Sequence, residues 1–468
     1  MMKWMYCALM LTAGLVGCGD DKTTETGTTT TTTTTGPTAT GDGPAVSDVQ
    51  AAPTADIATV LRVTWTTDEP STGHVEFGAG DAFNYSTPTS TEPATEHEAL
   101  LLGMPSNTDV GFRVVATTDA GTTTTADQTV ATGPLPNWLP TLTVEGEGND
   151  QFFTLPVLGQ NTGATIISPD GNFVWYHKDE RDLDVYRVRL SRDGQSVIYN
   201  AASVSGEPSE ASMIVRVSLD GSTETTYPVS LLAHDFVEMP DGSIVAIVVE
   251  YRDNKADPKG EPIRGDQLLR IAPDGTQEVV WSAWDCYDPA VNPGDELGWT
   301  FANAIDYDAE DDAFYLSLSS LNSIVKVDRE SRDCLWALGG DIGTIDIAAG
   351  SNTFLREHQF HVLDDGIVIF DNDGPAGLES RVIEYSLDQE AGTAAERWSY
   401  NSDPPIYNFV LGDTHRFDNG DTLVVWSVNG QIDRVNQAGE VVWKLNTALG
   451  NALGFTHVEP TLYVGNGG

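Results

Sequence analysis

Cysteine is scarce in this 468-residue chain, with four residues, of which Cys7 and Cys18 fall in the first eighteen positions. The other two, Cys286 and Cys334, lack any Cys-x-x-Cys spacing, which removes the usual basis for a structural zinc site. Basic side chains are scarce as well. Lys and Arg number 24 against 70 Asp and Glu, a formal net charge of −46, and so acidic a chain repels the phosphates of nucleic acid. The carboxylates are scattered through turns rather than grouped, which is the pattern of a solvated surface. Beyond residue 17 no apolar run is long enough to cross a membrane as a helix. G-x-S-x-G, P-loop and dinucleotide-glycine patterns are all missing, so neither a nucleophile elbow nor a nucleotide cradle is encoded and no cofactor is expected.

What is present begins with a targeting segment. Lys3 supplies a positive start, and Met5 to Val16 is apolar but too short to span a bilayer. The run ends in Leu15-Val16-Gly17-Cys18, which resembles a bacterial lipoprotein signal and implies cleavage before Cys18 and lipid on its sulfur; an ordinary secretory signal is the alternative. Either way the mature chain leaves the cytoplasm, and the resemblance implies a lipid-anchored protein of the bacterial cell envelope. Residues 18–43 read as a disordered tether, with eight threonines from Thr28 to Thr35 and almost nothing apolar to offset ordering entropy. In an oxidising compartment Cys286 and Cys334 are most simply a disulfide, with two buried thiols as the alternative.

Residues 44–133 show strand-like alternation in Val60-Leu-Arg-Val-Thr-Trp65, Gly73-His-Val-Glu-Phe77, Glu98 to Leu102 and Val110 to Val115, the pattern of a small β-sandwich. Trp65, the Thr72 to Gly78 run, and Leu102-Gly-Met-Pro-Ser-Asn-Thr108 resemble fibronectin type III domains. His74 and His97 read as surface residues of that domain.

From residue 134 to 468 one phrase recurs: a turn, a few residues, then a strand ending in an aromatic. The aromatics are Trp175, Tyr227, Trp281, Trp336, Trp398 and Trp443, separated by 52, 54, 55, 62 and 45 residues. Six such copies predict an all-β, six-bladed β-propeller with these aromatics packed between blades. Asp-Gly and Asn-Gly pairs at Gly194, Gly242, Gly366 and Gly420 mark the hairpin after each inner strand, and Gly221 and Gly275 mark the one before the aromatic strand. Phe455 to Tyr463 is placed to close the ring on the first blade.

A propeller brings the starts of its inner strands to a common channel. Eight residues before the first-hairpin glycines lie Tyr186, His234, His358 and Gly412, and the matching point in the fourth blade is near Phe301. His234 and His358 are thus expected to converge across 124 residues of sequence, as nucleophile and proton carrier. His361 and His415 share a second register, five before their glycines. His358 and His361 face opposite sides of a strand and make poor joint metal ligands. The acidic turn at 306–312 lacks the Gly and Glu of an EF-hand, so no metal is expected.

At these residues the chain resembles the bacterial arylsulfotransferase (aryl-sulfate sulfotransferase) family. The matching runs are His234-Asp-Phe with Pro240-Asp-Gly242, Asn303-Ala-Ile-Asp-Tyr-Asp308, Ser317 to Asp328, Leu335-Trp-Ala-Leu-Gly-Gly340, His358, Phe370-Asp-Asn372 and Ser380-Arg-Val-Ile-Glu-Tyr385. The resemblance implies a six-bladed propeller that moves a sulfuryl group from an aryl sulfate to a phenol through a transiently sulfated histidine. His358 matches that histidine and His234 a second one; Phe301, Asn303 and Arg381 fall at substrate-binding positions. The family's third histidine falls on Phe301, its arginine on Leu321, and the Gln before its nucleophile on Glu357. Phe and Leu donate nothing to a sulfate oxygen, and losing one such donor costs ~10²–10³ in rate. Arg381 and Arg416 are candidates to compensate. The competing expectation is a non-catalytic propeller that binds a ligand or partner at its channel mouth.

Overall fold

The computed structural model describes residues 42–463 apart from 160, 204–208, 254–260, 295–297, 375–376, 378 and 449. The signal segment, the lipidation residue Cys18 and most of the tether lie outside the described residues.

The N-terminal unit is a seven-stranded antiparallel sheet, sandwich-like because one long strand serves both layers. That strand, Leu61–Ala79, pairs through Leu61 to Thr67 with Val46–Pro53 and Ala94–Leu101, then bends and pairs through Thr72 to Ala79 with Asp109–Thr118. Leu61, Val63 and Trp65, then Val75 and Phe77, are buried at every second position, as a two-residue side-chain period demands. His97 is not a surface residue. Its ring stacks on Trp65 at 4.9 Å, and its Nε2 lies 3.3 Å from the hydroxyls of both Thr67 and Ser71. His74 is half-buried.

Six further sheets form a six-bladed β-propeller. Blades 2 to 4 are four-stranded and consecutive in sequence, spanning Asp184 to Pro228, Leu232 to Ser282 and Ala302 to Leu338. Blades 5 and 6 follow from Phe360 to Asn401 and Asp413 to Thr447. Blade 1 has only three consecutive strands, Phe152–Leu158, Gly163–Ile167 and Phe173–Lys178. Its inner position is filled from the far end of the chain, where Ala452–Leu453 and His457–Glu459 pair with Phe152–Leu158. The chain's early strand Leu142–Gly146 in turn adds to the outer edge of blade 6. The ring is thus closed by strands from both ends of the chain, an inner one in blade 1 and an outer one in blade 6.

Four of the repeat aromatics lie on the outermost strand of their blade, whereas the strands of Trp398 and Trp443 are each flanked by one more, Asp346–Ile347 and Leu142–Gly146. Trp175, Trp281 and Trp443 are fully buried, whereas Tyr227 and Trp398 are only partly covered. The hairpin glycines Gly194, Gly221, Gly242, Gly275 and Gly420 have φ between 64° and 85°, as tight turns require. Gly366 is different: it is not in the left-handed region, but a Cβ there would sit 2.3 Å from the Tyr385 carbonyl, so glycine is required by close backbone approach. The disulfide Cys286–Cys334 forms, with Cα atoms 6.1 Å apart, and joins the end of blade 3's outer strand to the start of blade 4's.

Candidate active site at the channel mouth

The inner strands of all six blades meet in one buried polar plug. Arg187 (blade 2) donates Nε to Asp235 (blade 3) at 2.9 Å and reaches Asp413 (blade 6) at 3.3 Å and the Thr456 carbonyl (blade 1) at 2.9 Å. Asp235 also accepts from Gln359 Nε2 (blade 5) at 2.9 Å and from the Ile305 N–H (blade 4) at 3.3 Å. One arginine and two carboxylates therefore bind six blades and divide the channel into two ends.

The direct bond between Asp235 and Gln359 joins the residues immediately after His234 and His358, so the two histidines are brought to the same mouth. Their electrostatic coupling agrees: a charge on His358 would lower the affinity of His234 for a proton. The His234 ring lies 5.1 Å from Phe301 and 6.0 Å from Tyr186, while His358 lies 6.3 Å from Phe455. In blade 6 the matching residue is Gly412, where any Cβ would collide with the Phe370 ring at 2.2 Å.

The tautomer of His358 follows from its neighbours. Asn372 donates Nδ2 to the carbonyls of Asn408 and Leu411 at 2.5 and 2.8 Å, which turns its Oδ1 towards His358 Nδ1 at 2.8 Å. An amide oxygen only accepts, so Nδ1 carries the proton and Nε2 keeps its lone pair. His234 Nδ1 faces the Ala302 carbonyl at 3.3 Å, which assigns the same tautomer. Burial pushes His358 down to about 4 and His234 down to about 3, with Arg264 and His358 adding to the effect on His234. Both imidazoles are neutral at pH 7.

Asn303 is fully buried and donates Nδ2 to the Glu357 carbonyl at 2.9 Å, bracing the backbone next to His358. The Glu357 carboxyl is also buried; it accepts from Ser317 Oγ at 2.9 Å, and burial pushes it up to about 7. Arg381 is occupied by a buried pair with Asp371 at 2.8 Å and by the Thr353 carbonyl. Arg416 pairs with Glu384 and stacks on Trp398. Leu321 is buried in the apolar cluster shared by blades 3 and 4. A cation at the mouth is Arg264, which lies 4.7 Å over the Phe301 ring and whose charge acts on His234. Arg264 has no sequence signal, because it stands on the third strand of blade 3 and reaches Phe301 only through the segment leading into blade 4, where the Trp299 N–H donates to the Arg264 carbonyl at 2.9 Å. Asn372 sits in a recognisable run, yet its role depends on two carbonyls from a different crossover.

Beyond the plug, a second chamber of about 130 Å³ is lined by Arg189, Asp306, His361, His415 and His457. His361 and His415 stack at 4.1 Å with their planes 15° apart, and the Arg416 N–H donates to His361 Nδ1 at 2.9 Å. Parallel rings cannot both point at one ion, and among the described residues no group of three or more His, Cys, Asp or Glu is placed to hold a metal.

Solved structures resembling the chain share little sequence with it. They include a protein of unknown function from Bacteroides caccae (13% identity, 66% of this chain and 98% of that one, TM-score 0.39). Virginiamycin B lyase from Staphylococcus aureus matches at 12% identity over 68% of this chain and 99% of the other, TM-score 0.37. Apo AztD from Citrobacter koseri matches at 12% identity over 66% and 99%, TM-score 0.35. No curated protein matches the chain. The family described as Arylsulfotransferase (ASST) matches residues 148–448, which takes in strands of all six blades and both mouth histidines, and the chain belongs to that family.

Proposed function

We propose that the chain transfers a sulfuryl group from an aryl sulfate to a phenolic acceptor through a sulfohistidine on His358. The single observation that carries this reading is the His358 ring fixed by Asn372, whose Oδ1 lies 2.8 Å from Nδ1 and so assigns the proton to Nδ1 and the lone pair to Nε2. In the first step Nε2 attacks sulfur, an N–S bond forms, the S–O bond to the aryl group breaks, and a phenolate leaves. In the second, the acceptor oxygen attacks sulfur as its proton passes to His234 Nε2; the N–S bond breaks and His358 regains its lone pair. Dividing the transfer in two replaces one hard displacement by two easier ones. Arg264, beside Phe301, is the cation that meets charge on the sulfuryl oxygens. Asn303 serves by bracing Glu357 and His358, and Arg381 by anchoring Asp371, whose neighbour Asn372 orients the nucleophile.

The test is incubation of the purified chain with an aryl sulfate and a phenol, with mass spectrometry of the His358 peptide. Transfer and a sulfated His358, both lost in His358→Ala, support the reading; no turnover with any donor, or turnover unchanged in His358→Ala, ends it. A second reading, a non-catalytic ligand-binding propeller, draws on Leu321 and Phe301, which put apolar groups where donors are needed. We read the N-terminal unit as a fibronectin type III-like spacer and Cys18 as the lipid anchor in a bacterial envelope, with the matrix of Thr residues between them. Release of the chain into the soluble fraction by Cys18→Ser tests the anchor.

A further inference from the structure

We propose that Asp266 is a positioning residue of the mouth, gripping the chain on both sides of Phe301 so that this ring stays against Arg264 and His234; its part in the transfer rests on the sulfuryl-transfer reading above. Arg264, Asp266 and Leu268 alternate along the strand Ile263–Ile271 and so share one face, and Leu268 is buried in the apolar cluster common to blades 3 and 4. That face looks at the segment entering blade 4. One oxygen of Asp266, Oδ2, accepts from Thr300 Oγ1 at 2.5 Å and from the Ala302 N–H at 2.7 Å. The residue between these two donors is Phe301, whose φ is 46°. The other side of the turn is fixed as well, because the Ser319 and Ser320 N–H groups donate to the carbonyls of Phe301 and Thr300 at 3.3 and 3.2 Å. Asp266 is only 1% exposed, an unfavourable place for a carboxyl that the transfer steps do not otherwise use. Burial pushes it up, against the pull of Arg264, Thr300 and Ala302.

Left-handed residues also lead into blades 3, 5 and 6, at Leu231, Arg356 and Leu411, so the turn itself belongs to the architecture of the ring. Blade 4 adds an aromatic ring at that position and a buried acid that holds both its flanks. A bulky residue keeps a left-handed backbone only where its surroundings over-determine it, and here they also decide where the ring goes. Arg264 lies 4.7 Å over its centroid, and the His234 ring lies 5.1 Å away. The stem of Arg264 is packed against Gly298, where a Cβ would meet its Cδ at 3.2 Å. Ala302, whose N–H is accepted by Asp266, turns its own carbonyl to His234 Nδ1 at 3.3 Å. One buried acid therefore sets the aromatic neighbour, the nearby cation and the backbone acceptor of the proton carrier. The Arg264 charge opposes protonation of His234 and keeps it neutral, ready to take the proton of the acceptor.

The test reads the titration midpoint of His234 by NMR in the full chain carrying isotope-labelled histidine. Removing an acid cannot by itself raise that midpoint, because a negative charge favours the imidazolium; moving Arg264 away does raise it. In Asp266→Leu the midpoint is expected to rise by ~1 pH unit, and Asp266→Asn, which keeps an accepting oxygen, returns it towards wild type. Thr300→Val removes half of the grip at constant shape and shifts it in the same direction; should Asp266→Leu not fold, this variant decides by the same sign. Adding Asp266→Leu to Arg264→Gln moves the midpoint little further than Arg264→Gln alone. An unchanged or lowered midpoint overturns the proposal, and so does a rise that adds in full to that of Arg264→Gln, since entry of water rather than departure of Arg264 then sets it. Single-turnover sulfation of His358 by 4-nitrophenyl sulfate falls ~10²-fold in Asp266→Leu and recovers in Asp266→Asn; an unchanged rate overturns the part of Asp266 in the transfer. Should wild type form no sulfohistidine with any donor, the sulfuryl-transfer reading fails, while the His234 midpoint still decides whether Asp266 holds Arg264 in place: a rise retains the grip, and no rise overturns it.

Discussion

At the residue scale the chemistry depends on which nitrogen of His358 holds the proton. Asn372 settles it through two backbone carbonyls and one amide oxygen. Because burial holds His358 at about 4, its neutral form persists well below the ordinary imidazole range. The acid limb of kcat/KM is therefore expected near pH 4 rather than near ~6.5, as a pH–rate profile will record. In Asn372→Asp a carboxylate faces Nδ1 and favours the charged ring, so the limb moves up by at least ~1 pH unit. Glu357 titrates in the opposite sense. Its folded-state value is raised to about 7, so the protonated form is preferred in the fold. The stability it contributes is present below its unfolded value and is lost as pH rises through about 7. Glu357→Gln keeps the shape without the charge. It is expected to leave stability unchanged at pH 4 and to raise it at pH 8 by up to ~3 kcal/mol, measured by denaturant unfolding at both values.

At the element scale the blades follow from local rules. Hairpin glycines, a two-residue side-chain period and a terminal aromatic place each strand without reference to its neighbours, so six blades and the register of His234 and His358 were legible in the sequence. So was the Cys286–Cys334 pair, since two isolated cysteines fell in consecutive repeats. Its removal by Cys286→Ser with Cys334→Ser is expected to lower stability by about 4 kcal/mol, the loop-closure value for their sequence separation of 48, and to part blades 3 and 4 first, as hydrogen exchange will register. His97 was misread because polarity suggested exposure, whereas Trp65 stacks on it and two hydroxyls satisfy it. Gly366 was assigned to a turn conformation, yet it serves the close approach of Tyr385. Both errors share a cause: the partner lies on another strand, and a pattern along one strand carries no trace of it.

At the scale of the whole molecule the plug matters most. Arg187 is buried against Asp235 and Asp413, and these three groups touch every blade. Arg187→Met leaves two buried carboxylates without a counter-charge and is expected to cost ~3–5 kcal/mol, read as a lower denaturation midpoint with an unchanged slope. The N-terminal unit is likewise bound to the ring rather than hung from it. Thr59 donates to the Val174 carbonyl at 2.8 Å, the Ala58 N–H donates to the Tyr176 hydroxyl at 2.9 Å, and Ile57, Val60 and Leu102 share one apolar cluster with blades 1 and 2. Tyr463, after the closing strand, completes the contact by donating to the Leu100 carbonyl at 2.8 Å.

Repeat number, strand order, the covalent bridge and the shared register of His234 and His358 were determined by the amino-acid sequence itself, because each depends on residues within one blade or on a spacing that recurs between blades. Arg264 over Phe301, Asn372 at His358, the six-blade plug and the stacked pair of His361 and His415 were decided only by the tertiary structure. Each joins side chains from separate strands or crossovers, and their distance is set by how strands and blades pack on one another, a condition that no local periodicity contains.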